Sequence, residues 1–183
     1  MMMMRRLLAA AALSLAAAPV LAALPVGSSA PEFTAPGYIG GKPLTFDLKS
    51  ALKKGPVVLY FFPAAHTSGC NLEAHLFADA IDQFHALGAT VIGVTAGNID
   101  QLAAFSTETE HCSGKFPVAA DTNLSIAKEY KATLLVRPGW SDRTSYVIAP
   151  DGKILLAYSN LGADRHVEET LAAVKAWRAA HPA

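Results

Sequence analysis

Apolar and polar positions fall along this chain in blocks that predict strand, turn and helix in succession. Val57 to Phe62 is an unbroken apolar run, which suits a central strand covered on both faces. Beyond a turn, Leu72, Leu76, Phe77, Ala80, Ile81, Phe84 and Leu87 recur at helical spacing from Cys70 onward, and Gly88 ends the run. Thr90 to Val94 predicts a second strand, after which Asn98 is placed to cap a helix carrying Ile99, Leu102, Ala103 and Phe105. Phe116 to Ala119 predicts a short third strand, with a helix over about Asn123 to Tyr130. The period then changes: Thr144 to Ile148 and Lys153 to Tyr158, joined by Pro150-Asp151-Gly152, predict a β-hairpin. A last amphipathic helix over about Asp164 to Ala180 turns Val167, Leu171, Val174 and Trp177 inward. In Leu24 to Thr45, by contrast, Gly37, Gly40, Gly41 and Pro43 are expected to break any long element.

A βαβα succession closed by a hairpin and a helix predicts an α/β protein with a central mixed sheet flanked by helices, the three-layer thioredoxin-like sandwich. The chain has 183 residues, room for one domain once an N-terminal segment is set aside. Residues 1–23 read as a signal peptide: Arg5 and Arg6 precede an apolar run from Leu7 to Ala18 broken only by Ser14, and Val20-Leu21-Ala22 suits cleavage after Ala22 or Ala23. The run is short of the ~20 residues a membrane span needs, so export is expected, with residues 24–183 as a periplasmic or secreted domain that does not stay in the membrane. Taking Arg5 and Arg6 from the 15 basic residues leaves 13 against 15 acidic, a net charge of −2 with no basic stripe, which argues against nucleic-acid binding.

Cys70 is the residue that brings chemistry. It opens a helix directly after a strand and turn, where backbone N–H groups without intrahelical partners stabilise a thiolate. Two cysteines in an exported chain by default form a structural disulfide; here it would join Cys70 to Cys112, a separation of 42 residues, and contribute about 4 kcal/mol by loop entropy. No Cys-x-x-Cys pair is present, which disfavours a dithiol oxidoreductase or copper-delivery domain. His66, Cys70, His75, His111 and Cys112 are types that ligate metals, but Cys70 and His75 lie about 140° apart around a helix and do not converge. No metal site is expected. His85 and His166 show no partner pattern and are expected to be solvated.

Pro63-x-x-x-Thr67-x-x-Cys70 resembles the active-site signature of the peroxiredoxins of the AhpC/TSA superfamily. Thr67-Ser68-Gly69-Cys70-Asn71-Leu72-Glu73-Ala74 is similar to the version in the bacterioferritin comigratory protein (PrxQ) branch. Gly27 to Phe33 resembles the family's opening, and Asp142 to Ile148 resembles the strand that delivers its arginine. The resemblance implies a thiol-dependent peroxidase for hydrogen peroxide or organic hydroperoxides. No cofactor is implied. A thioredoxin-like or small-thiol reductant is, in a monomer or weak homodimer. It implies that Cys70 is the peroxidatic nucleophile, that Thr67 and nearby backbone N–H groups align the peroxide, and that Arg143 stabilises thiolate and transition state. Pro63 would shield the sulfenic acid, and Glu73, on the same helical face as Cys70, would hold Arg143 or Thr67.

Singly, each residue has a plainer role: Thr67 as a helix cap, Pro63 as a strand end, Glu73 as a favourable charge in the first turn, Arg143 as a surface charge. Arg137 rivals Arg143 but is followed by Pro138-Gly139 and falls in a loop. One departure from the pattern matters. Many relatives of the PrxQ type carry a resolving cysteine five residues after the peroxidatic one, where this chain has His75, leaving Cys112 as the available partner. A helix of ~13 residues over Asn98 to Cys112 would be about 20 Å long, far beyond the ~7 Å a disulfide spans between Cα atoms. Resolution by Cys112 therefore requires that segment to unwind. Its run Ser106-Thr107-Glu108-Thr109-Glu110-His111 is poor in helix formers.

Overall fold

The computed structural model describes residues 23–182, so the expected signal peptide lies outside the described residues but for Ala23. Strands β1 (Thr34–Ile39) and β2 (Lys42–Asp47) come first, then helix α1 (Leu48–Leu52), β3 (Val57–Phe61) and helix α2 (Ser68–Ala86). They are followed by β4 (Thr90–Thr95), a 3-10 turn (Ile99–Gln101), α3 (Leu102–Thr107), β5 (Val118–Ala120), α4 (Ser125–Glu129), β6 (Thr144–Ile148), β7 (Ile154–Ser159) and α5 (His166–Ala180).

The seven strands form one sheet in the order β2-β1-β5-β4-β3-β6-β7. The centre is parallel, β3 beside β4 and β4 beside β5, while both flanks are antiparallel. All five residues of β3 are buried, as a strand covered on both faces requires. Its alternation divides the core. Val58 and Tyr60, with Phe62 just beyond, pack with Phe77, Ile81 and Phe84 of α2, Leu102 and Phe105 of α3 and Val174 of α5. Val57, Leu59 and Phe61 pack with Leu48, Leu52, Ile126, Ala127, Tyr130 and Tyr146 on the other face. The result is the expected thioredoxin-like sandwich of three layers. Among the described residues no helix is long and apolar enough to cross a membrane.

Four sequence expectations need correction. The Gly- and Pro-rich N-terminal stretch forms a hairpin, because Gly40 and Gly41 at φ 53° and 74° make the two-residue turn that strand twist favours. Pro43 is tolerated there because β2 is an edge strand. Asn98 does not cap a helix: it sits at φ 52° and its side-chain amide donates to Ala65 O at 2.8 Å. The helix after it is also much shorter than ~13 residues. α3 ends at Thr107, and Cys112 lies on turns rather than on a helix end, so the distance argument from helix length does not apply. Finally, the inward stripe of α2 runs through Cys70, Glu73, Ala74 and Phe77, leaving Leu72 48% exposed, and that of α5 centres on His166, Thr170 and Val174, with Trp177 only partly covered.

Candidate active site

Three segments meet at the start of α2. The chain leaves β3 through Pro63, Ala64 and Ala65, and Gly97 beyond β4 approaches so closely that a Cβ there would lie 2.3 Å from Pro63 O. That contact fixes the path of the turn, and Thr95 Oγ1 reinforces it by donating to Pro63 O at 3.1 Å. Thr67 has the extended backbone of an N-cap residue, yet its hydroxyl turns back to donate to Ala64 O at 3.0 Å rather than capping α2. Its oxygen lone pairs stay available to accept. Helix α2 begins at Ser68, two residues earlier than expected, so Cys70 is its third residue, fully buried.

Arg143, immediately before β6, reaches across to this helix. Its Nε donates to Leu161 O at 2.8 Å, Nη1 donates to Glu73 Oε2, and Nη2 points at Cys70 Sγ from 3.5 Å. The three contacts use the fork geometry of a guanidinium and hold it rigidly. Gly69 makes the approach possible, since a Cβ there would stand 2.9 Å from Nη2. The structure therefore brings together Cys70, Glu73 and Arg143, with Pro63 and Thr67 forming the preceding turn. Arg137 is elsewhere: it is exposed and lies flat on Trp140 at 3.4 Å from the ring centroid.

The electrostatics follow from burial. With Glu73 fully buried, desolvation pushes its carboxyl up to about 8, against the pull of Arg143. Desolvation works to lower Arg143, but the facing charges of Glu73 and Cys70 outweigh it and hold the guanidinium protonated. One buried cation thus faces two groups able to carry negative charge. A protonated Glu73 leaves that cation to a Cys70 thiolate, so the cluster is then electrically neutral.

His166 completes the cluster from behind, where the sequence reading expected a solvated side chain. It is fully buried because α5 packs its first turn over β6 and β7. Its Nε2 lies 2.8 Å from Asn160 O, which only accepts, so Nε2 carries the ring proton. Nδ1 accepts from the Ser145 hydroxyl at 2.8 Å. Burial drives the ring's pKa down to about 4, so it stays neutral. Glu73 Oε1, which lacks a hydrogen-bond partner, lies 3.5 Å from the same Nδ1. That Nδ1 lone pair is taken up by the Ser145 hydroxyl, so Glu73 Oε1 meets a neutral ring rather than a charged one. Helical spacing on α5 places His166 in line with Thr170 and Val174, a signal that identifies it as inward-facing.

Cys112 is likewise buried, and both cysteines are free thiols. Desolvation, with the Glu108 carboxylate second, raises the Cys112 pKa far above that of an exposed thiol, so it is protonated while the fold is closed. Its turn is held by Glu108 O accepting from His111 N and Ser113 N at 3.0 Å and by Gly114 N donating to Ser106 O at 2.8 Å. Tyr60 stacks on Phe77, and its buried hydroxyl is unpartnered and within electrostatic reach of both thiols. His75, in place of the near resolving cysteine, pairs with Asp79 at 3.4 Å.

Two features lie apart from this cluster. A cavity of about 560 Å³ lined by Thr122, Leu134, Leu135 and Trp140 contains none of these residues. His66, Glu108 and His111 converge with their ligand atoms within 4.8 Å of one another. Spacing along one helix did not reveal that group, because it is assembled from two segments.

The AhpC/TSA family model matches residues 26–157. The chloroplastic peroxiredoxin Q of Sedum lineare is 29% identical over 153 residues, 83% of this chain and 78% of that protein. The putative peroxiredoxin YkuU of Bacillus subtilis is 31% identical over 160 residues, 82% of this chain and 87% of its own. Among solved structures, peroxidoxin BcpB from Mycobacterium tuberculosis superposes with a TM-score of 0.72 at 28% identity, covering 82% of this chain and 96% of that one. The reduced 2-Cys peroxiredoxin of Plasmodium vivax shares the fold, with a TM-score of 0.75 at 24% identity over 86% of this chain and 99% of that one. Matched in sequence over most of its length and built on the same fold, the chain belongs to the AhpC/TSA family of peroxiredoxins.

Proposed function

We propose that this thiol-dependent peroxidase works through Cys70, and the observation that carries the assignment is Arg143 Nη2 at 3.5 Å from Cys70 Sγ in a pocket where Glu73 fixes the guanidinium. The thiolate sulfur bonds the near oxygen of the peroxide and the O–O bond breaks. The far oxygen takes up the developing charge and leaves with a proton as water or an alcohol, and Cys70 becomes a sulfenic acid. Arg143 stabilises the negative charge on both sulfur and leaving oxygen. The Thr67 hydroxyl, donating to Ala64 O, is oriented to accept from the peroxide O–H. Pro63, buried beside the turn, keeps bulk water from the sulfenic acid. Glu73 and His166 are positioning residues.

Resolution falls to Cys112. Its thiol displaces hydroxide from the Cys70 sulfenic acid, which leaves as water when the S–S bond forms, and an external thiol reductant, of thioredoxin-like or small-molecule type, restores both cysteines. Since Cys112 is buried and protonated, the turns around it must open first. Two free thiols in the closed fold run against the structural-disulfide alternative. The expected signal peptide favours an exported enzyme, periplasmic or secreted, and the resemblance implies a monomer or weak homodimer.

Three outcomes are expected. Arg143→Gln lowers kcat/KM for hydrogen peroxide at least ~10²-fold, as loss of a preorganised donor does, while Arg137→Gln leaves it near wild type; steady-state peroxide consumption measures both, and the reverse ranking overturns the arginine assignment. The second concerns pH. Ionised Glu73 competes with the thiolate for Arg143, so the rate of Cys70 oxidation should fall as pH rises through about 8. Stopped-flow oxidation of Cys112→Ser protein should show this limb, and adding Glu73→Gln should remove it; an unchanged profile refutes the coupling. Third, one equivalent of peroxide should convert the reduced wild-type protein to an intramolecular Cys70–Cys112 disulfide, read by non-reducing peptide mass mapping. A persistent Cys70 sulfenic acid with a free Cys112 defeats resolution by Cys112.

A further inference from the structure

We propose that His66, Glu108 and His111 form a binding site for a borderline divalent transition-metal ion of the Zn²⁺ class, joining the catalytic turn to the Cys112 turn. His66 precedes α2 in a left-handed backbone conformation, φ 59°, which aims its imidazole at the turns after α3. Its Nδ1 lies 2.7 Å from Gln101 Oε1, an acceptor, so Nδ1 carries a proton and Nε2 is the nitrogen turned toward Glu108. Glu108 Oε2 lies 3.0 Å from that nitrogen, and a metal ion binds there by replacing a ring proton. His111 Nδ1 stands 2.6 Å from the same carboxylate oxygen, yet outside hydrogen-bonding geometry, and is otherwise a buried nitrogen without a partner. Two imidazoles and a carboxylate therefore bring their ligand atoms within 4.8 Å of one another, a donor set that a cation can bridge in place of a ring proton.

The donor set suits such an ion. Two imidazoles and a carboxylate are a common three-ligand set for zinc, with a fourth position left for water. Bonds of about 2.0–2.2 Å in a tetrahedron separate ligand atoms by roughly 3.3 Å, so the 3.0 and 2.6 Å pairs open by about 0.3 and 0.7 Å, and the widest pair, within 4.8 Å, closes by up to about 1.5 Å, movements that side-chain rotation supplies. Gln101 Oε1 accepts at His66 Nδ1 and so turns Nε2 toward the site, the kind of partner that orients a ligating histidine. Phe105 stacks on the His111 ring with centroids 4.9 Å apart and holds its plane. Access is open: the His66 and Glu108 side chains are 28% and 42% exposed, and a cleft of about 300 Å³ lined by Asn71, Leu72, His75, Glu110 and His111 adjoins the site.

Position gives the site a consequence, which rests on resolution by Cys112. His66 belongs to the turn before Cys70, while Glu108 and His111 belong to the turns that bury Cys112. A bound ion clamps the two together and slows disulfide formation without entering the peroxide step.

Zinc itself is the probe. Titration calorimetry of the full chain carrying Cys70→Ser and Cys112→Ser, which removes both thiols as ligands, should show one equivalent bound. Affinity should fall at least ~10-fold in His66→Asn, which tolerates the left-handed backbone, and in Glu108→Gln. Co²⁺ in the same protein should give the intense visible bands of a tetrahedral site. Binding unchanged in both variants overturns the site. In protein with both cysteines, Zn²⁺ should slow formation of the Cys70–Cys112 disulfide but not in Glu108→Gln; an equal rate with and without bound Zn²⁺ overturns the clamp. If no such disulfide forms even without metal, Cys112 resolution fails, while the calorimetric result still judges the site.

Discussion

A single buried guanidinium serves two partners in this enzyme, and the rest of the site is arranged around that constraint. Arg143 must be fixed firmly enough to meet a transition state, yet its charge must not be consumed by the group that fixes it. Glu73 does the holding through Nη1, while Nη2 is left toward Cys70. Burial keeps the Glu73 proton on up to about pH 8. A charged pair alone at this depth would be a poor source of stability, but removing either partner leaves an uncompensated polar group and costs on the order of 3–5 kcal/mol. The pair is better understood as setting geometry than as holding the fold together. The fold is held by the aromatic layers on either side of β3.

The second thiol is under the opposite demand. Cys70 is placed at a helix start beneath a cation, whereas Cys112 sits among apolar neighbours that keep it protonated. The segment that carries it is built to yield: α3 has only six residues, and the chain then runs through turns with Ser113 and Gly114 at positive φ. On the proposed resolution by Cys112, the backbone bonds that close these turns and the contact of Glu108 with His66 are the ones that part. Attack by Cys70 and engagement of Cys112, as proposed, thus draw on different parts of one structure.

Much of this was legible in the sequence where one element carried the signal. The apolar run Val57 to Phe62 and the helical spacing after Cys70 located β3 and α2, and the motif from Pro63 to Cys70 marked their junction. The choice of Arg143 over Arg137 rested on Pro138-Gly139, and the structure places Arg143 beside Cys70. The N-terminal hairpin is hard to read because glycines ordinarily break elements, whereas two adjacent glycines at positive φ make a tight hairpin turn. His166 was hidden because polar residues are ordinarily assigned outward; only its alignment with Thr170 and Val174 betrays it. The grouping of His66, Glu108 and His111 was beyond one-dimensional reading, since it depends on the chain path through β4 and the 3-10 turn.

The central claim is that the folded pocket, not cysteine chemistry alone, drives attack on peroxide. The most direct test is the second-order rate at which hydrogen peroxide consumes the Cys70 thiol in Cys112→Ser protein, compared between the folded state and the same protein unfolded in urea at one pH. With Arg143 and the helix start in place, the folded protein should react at least ~10²-fold faster and yield a sulfenic acid at Cys70. Equal rates in the two states would contradict the account.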